Sequence, residues 1–357
     1  MTTPQSHSQI AAAAALLKAG GVVAFPTETV YGLGADISNP SAVRRIFEIK
    51  KRPADHPLIV HLARSSSLPH WARHVPEQAW RLAEHFWPGP LTLILPRSPC
   101  VPENVTGGQD TVGLRVPDHP VALALLDALG PERALAAPSA NRFGRISPTT
   151  AAHVHEELGE AVDMILDGGP CRVGLESTIV GFEGEIAIIL RPGGIPLAAL
   201  AEVLNGKVVV GDGAKPATRV PGSLSSHYAP LTPLELLPQD SIGRRAASLV
   251  AKGLRVAVIG WSDQHFPPDN GKNEKVVYFS MPANPEGYGR QLYAALRQLD
   301  QQRFDFLLVE TPPDETGWMA IRDRLQRASC ISDFRFQIDD DDCVRGARNA
   351  ANETTSG

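Results

Sequence analysis

The spacing of apolar positions predicts a chain built mainly of short strands, with helices between some of them. Residues 11–17 are rich in Ala and Leu, and Lys18 and Gly20-Gly21 follow. That pattern predicts an amphipathic helix stopped by the glycines. Val22-Val23-Ala24-Phe25 is a short apolar run ending at Pro26, so it predicts a buried strand entering a loop over residues 26–34. Asn39-Pro40-Ser41 is a helix start, and Val43, Ile46 and Phe47 recur at helical spacing up to the basic run Lys50-Lys51-Arg52-Pro53. Further strands are predicted at 58–62, 91–95, 112–116, 134–137, 164–166, 177–180 and 187–191, and helices at 76–86, 120–129 and 149–158. Strands and helices intermix without strict alternation, which favours an α/β domain with a twisted mixed sheet.

The texture changes near residue 206. Gly, Ala, Pro and Ser dominate from 206 to 232, predicting a linker that ends in Val220-Pro221-Gly222 and His227-Tyr228-Ala229-Pro230. Beyond it, apolar runs at 234–237, 255–259, 276–279 and 306–309 alternate with helical patterns at 242–252, 287–299 and 318–328. This is the pattern of a smaller parallel α/β domain. The expected organisation is therefore a first domain at 1–205, a linker at 206–232, a second domain at 233–345 and a disordered tail at 346–357.

Composition adds limits to this picture. A length of 357 residues suits two domains, and 43% hydrophobic with 20% charged residues is a globular balance. A net charge of −5 argues against a constitutive nucleic-acid binder. Cys100, Cys171, Cys330 and Cys343 are scattered with no CxxC pair, so reduced thiols are expected rather than disulfides or zinc. The apolar run at 11–17 is too short to span a bilayer and lacks a basic leader, so a cytoplasmic protein without membrane contact is expected.

Walker A, GxGxxG and GxSxG motifs are absent, and His153 and His155 are spaced wrongly to share a helix face. What remains is a series of short polar clusters at strand and helix ends. Lys50 offers a point charge and Arg52 a planar fork, a pair suited to phosphate oxygens. Ser139 and Asn141 flank a small residue in a turn whose hydroxyl, amide and N–H groups could cradle an anion. Arg115 lies between apolar residues and calls for a ligand or an internal carboxylate. Glu176-Ser177-Thr178 and Arg191-Pro192-Gly193-Gly194 repeat the arrangement. An anion site at Lys50, Arg52, Ser139 and Asn141 follows as the expectation.

The order of these clusters resembles the threonylcarbamoyl-AMP synthase family, in its long form with a YrdC-like catalytic domain and a C-terminal Rossmann-like domain. The residues that carry the resemblance begin with Pro26-Thr27-Glu28-Thr29-Val30-Tyr31-Gly32-Leu33-Gly34, Lys50-x-Arg52-Pro53 and His56-Pro57-Leu58-Ile59-Val60-His61. They continue with Trp87-Pro88-Gly89-Pro90-Leu91-Thr92, Arg115-Val116-Pro117, Pro138-Ser139-Ala140-Asn141, Glu176-Ser177-Thr178-Ile179-Val180 and Arg191-Pro192-Gly193. His227-Tyr228-Ala229-Pro230 and Ala320-Ile321-x-Asp323-Arg324-Leu325-x-Arg327-Ala328 match the long form.

The resemblance implies a nucleotidyltransferase that joins L-threonine, bicarbonate (or CO2) and ATP into threonylcarbamoyl-AMP and pyrophosphate. Mg2+ would be carried on the ATP phosphates, with no protein-held metal site. A separate threonylcarbamoyl transferase complex would consume the product in tRNA modification, and a weak contact with tRNA is implied. By the same resemblance Thr29, His61, Arg115, the Ala137 backbone and Ser177 hold threonine. Lys50, Arg52, His56, Thr111, Ser139, Asn141, Ser147 and Arg191 surround ATP, and His227 and Tyr228 fold over it as a lid. Two departures stand out: His56 replaces the family's usual Asn, and Ser223-Leu224-Ser225-Ser226 stands where a more basic stretch is expected. The competing expectations are an RNA-binding module without turnover, a carbamoyltransferase-like enzyme and a nucleotide-binding regulator.

Overall fold

The computed structural model describes residues 7–211, 218–222, 227–261 and 275–329. The expected disordered tail, Ser223-Leu224-Ser225-Ser226, Cys330 and Cys343 lie outside the described residues.

The N-terminal region is one ten-stranded mixed sheet. Its strands are β1 (Val23–Phe25), β2 (Gly32–Asp36), β3 (Ile59–His61), β4 (Leu91–Pro96), β5 (Thr111–Arg115), β6 (Leu135–Ala136), β7 (Met164–Ile165), β8 (Thr178–Glu183), β9 (Ile186–Arg191) and β10 (Val208–Val210). They lie side by side in the order β10-β9-β8-β4-β5-β3-β6-β2-β1-β7. Parallel and antiparallel neighbours alternate irregularly, as the mixed-sheet expectation requires. The helices are α1 (His7–Lys18), α2 (Pro40–Lys50), α3 (Leu68–Trp71), α4 (Glu77–Phe86), α5 (Glu103–Thr106), α6 (Pro120–Leu129), α7 (Ala151–Leu158) and α8 (Leu197–Val203).

Two departures from the sequence reading have physical causes. Residues 32–34 were expected in a loop but form β2, paired antiparallel with β1. The Phe25 ring crosses onto β2 so closely that a Cβ at Gly34 would lie 2.8 Å from it, so the glycine serves packing, not a turn. The polar texture after residue 205 hides β10, which extends the sheet beyond β9 as an edge strand with Val209 and Val210 exposed.

The second region carries β11 (Leu234–Leu237), β12 (Val256–Gly260), β13 (Val276–Ser280) and β14 (Phe306–Glu310), with α9 (Gln239–Ala251), α10 (Pro285–Gln301) and α11 (Met319–Ser329). All three strand pairings are parallel, in the order β11-β14-β12-β13. The core does not stop at the boundary between regions. Val30, Ile146 and Leu175 pack in one cluster with Tyr288, Tyr293, Leu292 and Ile321. The crossing ion pairs Arg145–Asp300 (3.3 Å) and Arg297–Glu157 flank that shared core.

Candidate active site

Helix α2 delivers the first cations. Asn39 caps it by accepting from the Ser41 and Ala42 amides, an interaction of about 1 kcal/mol, and Pro40 fits the first turn. Lys51 ends it in the left-handed region (φ 51°), and the Arg52 amide folds back onto Phe47 O at 2.9 Å. The helix buries Ala42, Val43, Ile46 and Phe47 on one face, and Lys50 goes inward with them. Its Nζ donates to Ser139 O and Asn141 O, both at 2.5 Å. Burial, followed by the Arg52 charge, pushes its pKa well below the ordinary lysine value. Lys50 is therefore also the peg that holds the 138–141 turn.

That turn is fixed from its other side by β2. Leu33 N donates to Pro138 O (2.8 Å), Ala140 N donates to Tyr31 O (2.8 Å), and Gly32 bridges Ser139. Asn141 spends its amide group on Arg142 O (2.7 Å) and Arg145 O (2.9 Å), while its buried Oδ1 has no partner. Arg52 donates Nη2 to Pro57 O at 2.9 Å, lies 5.5 Å over the Phe143 ring and keeps a buried, unpartnered Nε. Burial lowers its pKa to about 10, which leaves it charged at neutral pH.

Arg115 meets an internal carboxylate. Its Nη2 donates to Glu28 Oε1 (2.7 Å) and Thr29 Oγ1 (2.8 Å), and Nε has no partner. Ser177 shares a hydrogen bond with Thr92 (2.8 Å) and receives Arg191 at its carbonyl (2.8 Å) and hydroxyl (3.2 Å). Burial, with Arg115 second, drives the His61 imidazole down to about 3, so it is neutral.

These groups converge on a cavity of about 50 Å³, lined among others by Arg52, His61, Arg115, Ser139, Ser177 and Arg191. Its cover is the linker. His227 and Tyr228 line the cavity, both buried, with His227 Nδ1 and the Tyr228 hydroxyl unpartnered. A volume of that size admits a few waters but no nucleotide, so this is a closed arrangement. Burial lowers the His227 imidazole to about 3.

Not every expected residue faces this cavity. Lys50 and Asn141 stand behind the turn, and Thr29 reaches it through Arg115. Ser147 points to Glu176 Oε1 (2.6 Å). His56 lies edge-on to Phe143, and burial followed by Arg52 lowers its pKa, so this imidazole is neutral at pH 7. Thr111 instead lines a larger, open cleft of about 1250 Å³ beside β9 and α11. That cleft is bigger, but Lys50, Arg52, Arg115 and Arg191 do not line it, and the chemistry belongs to the smaller cavity.

Two residues escaped the sequence reading. Phe143 touches Arg52, His56 and His227, linking the basic loop to the lid. Glu28 is the partner Arg115 required; an acidic residue in the apolar-flanked 26–34 segment was the available signal. Among the described residues, no group of three or more His, Cys, Asp or Glu is placed to hold a metal ion, and no helix is long and apolar enough to cross a membrane.

Comparison with known proteins agrees with this geometry. Residues 15–193 match the family model described as "Telomere recombination", and residues 195–330 match "Threonylcarbamoyl-AMP synthase, C-terminal domain". The threonylcarbamoyl-AMP synthase of Pyrococcus abyssi is 41% identical over 331 residues, covering 90% of this chain and 94% of that one. The Bacillus subtilis enzyme of the same name is 42% identical, covering 90% and 93%. A crystal structure of P. abyssi Sua5 complexed with L-threonine superposes with a TM-score of 0.83 at 39% identity, covering 92% of this chain and 96% of that one. Matched along nearly its whole length in sequence and in fold, the chain belongs to the threonylcarbamoyl-AMP synthase family of enzymes, in its two-domain form.

Proposed function

We propose that the chain catalyses formation of threonylcarbamoyl-AMP and pyrophosphate from L-threonine, bicarbonate (or CO2) and ATP, in the cytoplasm. The observation that carries this reading is the convergence on the cavity of three buried arginines, Arg52, Arg115 and Arg191, of which only Arg115 forms an ion pair among the described residues. Such a density of buried positive charge calls for anionic ligands.

On this reading Arg115, Thr29, His61, the Ala137 backbone and Ser177 bind threonine, with Arg115 Nε directed at its carboxylate. Arg52, Arg191, Lys50, Ser139 and Asn141 hold the phosphates, His56, Thr111 and Ser147 complete the nucleotide's surroundings, and His227 with Tyr228 closes over it. Mg2+ arrives with ATP as part of the substrate. The threonine amine adds to CO2 and loses a proton, giving a carbamate. A carbamate oxygen then attacks the α-phosphorus, and the bond to the leaving pyrophosphate breaks. Both reactants are anions, so catalysis consists mainly of cancelling repulsion and fixing an in-line approach. The neutral His61 and His56 add no competing proton donors near pH 7. The product is an activated carbamate suited to transfer onto a tRNA nucleoside by a separate transferase complex.

Pyrophosphate release, measured with each substrate omitted in turn, tests this reading. It predicts release only when ATP, threonine and bicarbonate are all present. Release that persists without threonine would overturn it.

A further inference from the structure

The proposed reaction gives Glu176 no task, although it sits beside Ser177 in the wall of the cavity. Its carboxylate is buried and fully engaged. Oε1 accepts from Ser147 Oγ (2.6 Å), Tyr293 OH donates at 2.9 Å to Oε2, and Arg324 Nε donates to Oε2 at 2.8 Å. Two of these three donors come from the C-terminal domain, Tyr293 on α10 and Arg324 on α11. Arg324 is 1% exposed. Its Nη2 donates to Pro192 O (3.0 Å), next to Arg191, and its guanidinium stands 4.9 Å over the Tyr228 ring. Tyr293 stacks on the same ring at 5.9 Å. One arginine therefore touches the Glu176 segment, the residue after Arg191, and the linker.

We infer that Arg324 and Tyr293 are positioning residues for the reaction: by clamping Glu176 they set Ser177 and Arg191 against the cavity, and by packing on the Tyr228 ring they seat the linker. The C-terminal domain is then a working part of the active site.

The charges explain why the clamp matters. Burial alone would drive Glu176 towards its neutral form, but Arg324 and Arg191 hold it ionised, at about 2. Arg191 is the nearby cation left if Arg324 is removed. Turning to Glu176 would draw its guanidinium away from Ser177 O (2.8 Å) and Pro221 O (2.9 Å). Both ends of the cavity would then shift together.

The inference rests on the proposed reaction, and the wild-type chain separates the two failures. A full-length wild-type chain without threonine-dependent pyrophosphate release overturns the proposed function. A wild-type chain with that activity makes the clamp testable. Tyr293→Phe keeps the ring stack and removes one hydrogen bond; Arg324→Met removes the charge at similar length. We expect kcat/KM for threonine to fall about tenfold in Y293F and about a hundredfold in R324M. Gln301→Ala breaks a contact with Glu156 (2.7 Å) across the same interface without touching Glu176, and should stay within about twofold.

A pH profile separates positioning from simple docking. The charged and titratable groups facing Glu176 are Arg191, Arg324, His227, Tyr228 and Tyr293. Without Arg324 the buried carboxyl titrates higher, so R324M should gain an acid limb beyond the one His227 gives wild type, and Glu176→Gln in that background should remove the added limb. If R324M does not fold, Y293F and Arg324→Lys carry the test, with Arg324→Lys losing at least as much rate as Y293F because one ammonium cannot hold both Glu176 and Pro192 O. Folded variants with wild-type kcat/KM and no new limb would overturn the inference, as would a loss equalled by Q301A.

Discussion

At the scale of single residues, the site is organised by buried cations that do two jobs. Lys50 beside Arg52 at a helix end was legible as a candidate anion site. That it also pins the Ser139 and Asn141 carbonyls was not legible, because the contact spans 89 residues and leaves no local pattern. The same holds for Arg115: its burial was evident from its apolar neighbours, but Glu28 as its partner is a fact of the fold. His227 gives this scale its prediction. Its imidazole titrates near 3 when the linker is closed and near the ordinary value of about 6.5 when open. The closed state is thus at full strength above about pH 6.5 and weakens about tenfold per pH unit as pH falls towards 3, because only the open form takes up the proton. Protease cleavage within residues 206–232 should accelerate between pH 7 and pH 5, and His227→Phe should flatten that dependence. A pH-independent cleavage rate in the wild type would contradict the assignment.

At the scale of elements, most helices and strands were legible because their periodicity is strong and their ends carry chemical signals. The Asn39-Pro40 start of α2 and the parallel pattern of β11 to β14 are examples. Besides the unread helices α3, α5 and α8, the exceptions include strands whose reason lies elsewhere in the chain. β2 is written with glycines because Phe25 needs the space, and β10 borrows its order from β9. The linker is the element on which closure depends, and Gly222 is its narrowest point. It has φ +78°, and an added Cβ would lie 2.1 Å from the Tyr228 hydroxyl and 3.2 Å from Arg191 Nη1. Gly222→Ala should therefore displace Tyr228, destabilise closure by about 1–3 kcal/mol and expose the linker to protease. Comparing cleavage rates of G222A and wild type checks this; equal rates together with unchanged turnover would show that Tyr228 accommodates the methyl group.

At the scale of the whole molecule, the two-domain plan was legible from the change of texture near residue 206, but the union of the domains was not. Val30, Ile146 and Leu175 look like ordinary apolar residues of the first domain until the fold places them against α10 and α11. The linker's return is fixed by the same union: Ala229 N donates to Gly144 O (2.9 Å), while Asp300 accepts from the Leu231 and Thr232 amides (2.8 and 2.7 Å). The family's identity as an enzyme removes the reading of a binding module without turnover. In the proposed reaction this closed, cation-lined cavity joins threonine, inorganic carbon and the α-phosphate of ATP in one product. Incubating the full chain with ATP, threonine and 13C-bicarbonate, and analysing the nucleotide products by mass spectrometry, tests it most directly. The expected product is an AMP adduct of threonine carrying one 13C in its carbamoyl carbon, in equal amount to pyrophosphate. Formation of ADP and phosphate, or an AMP product without the label, would contradict it.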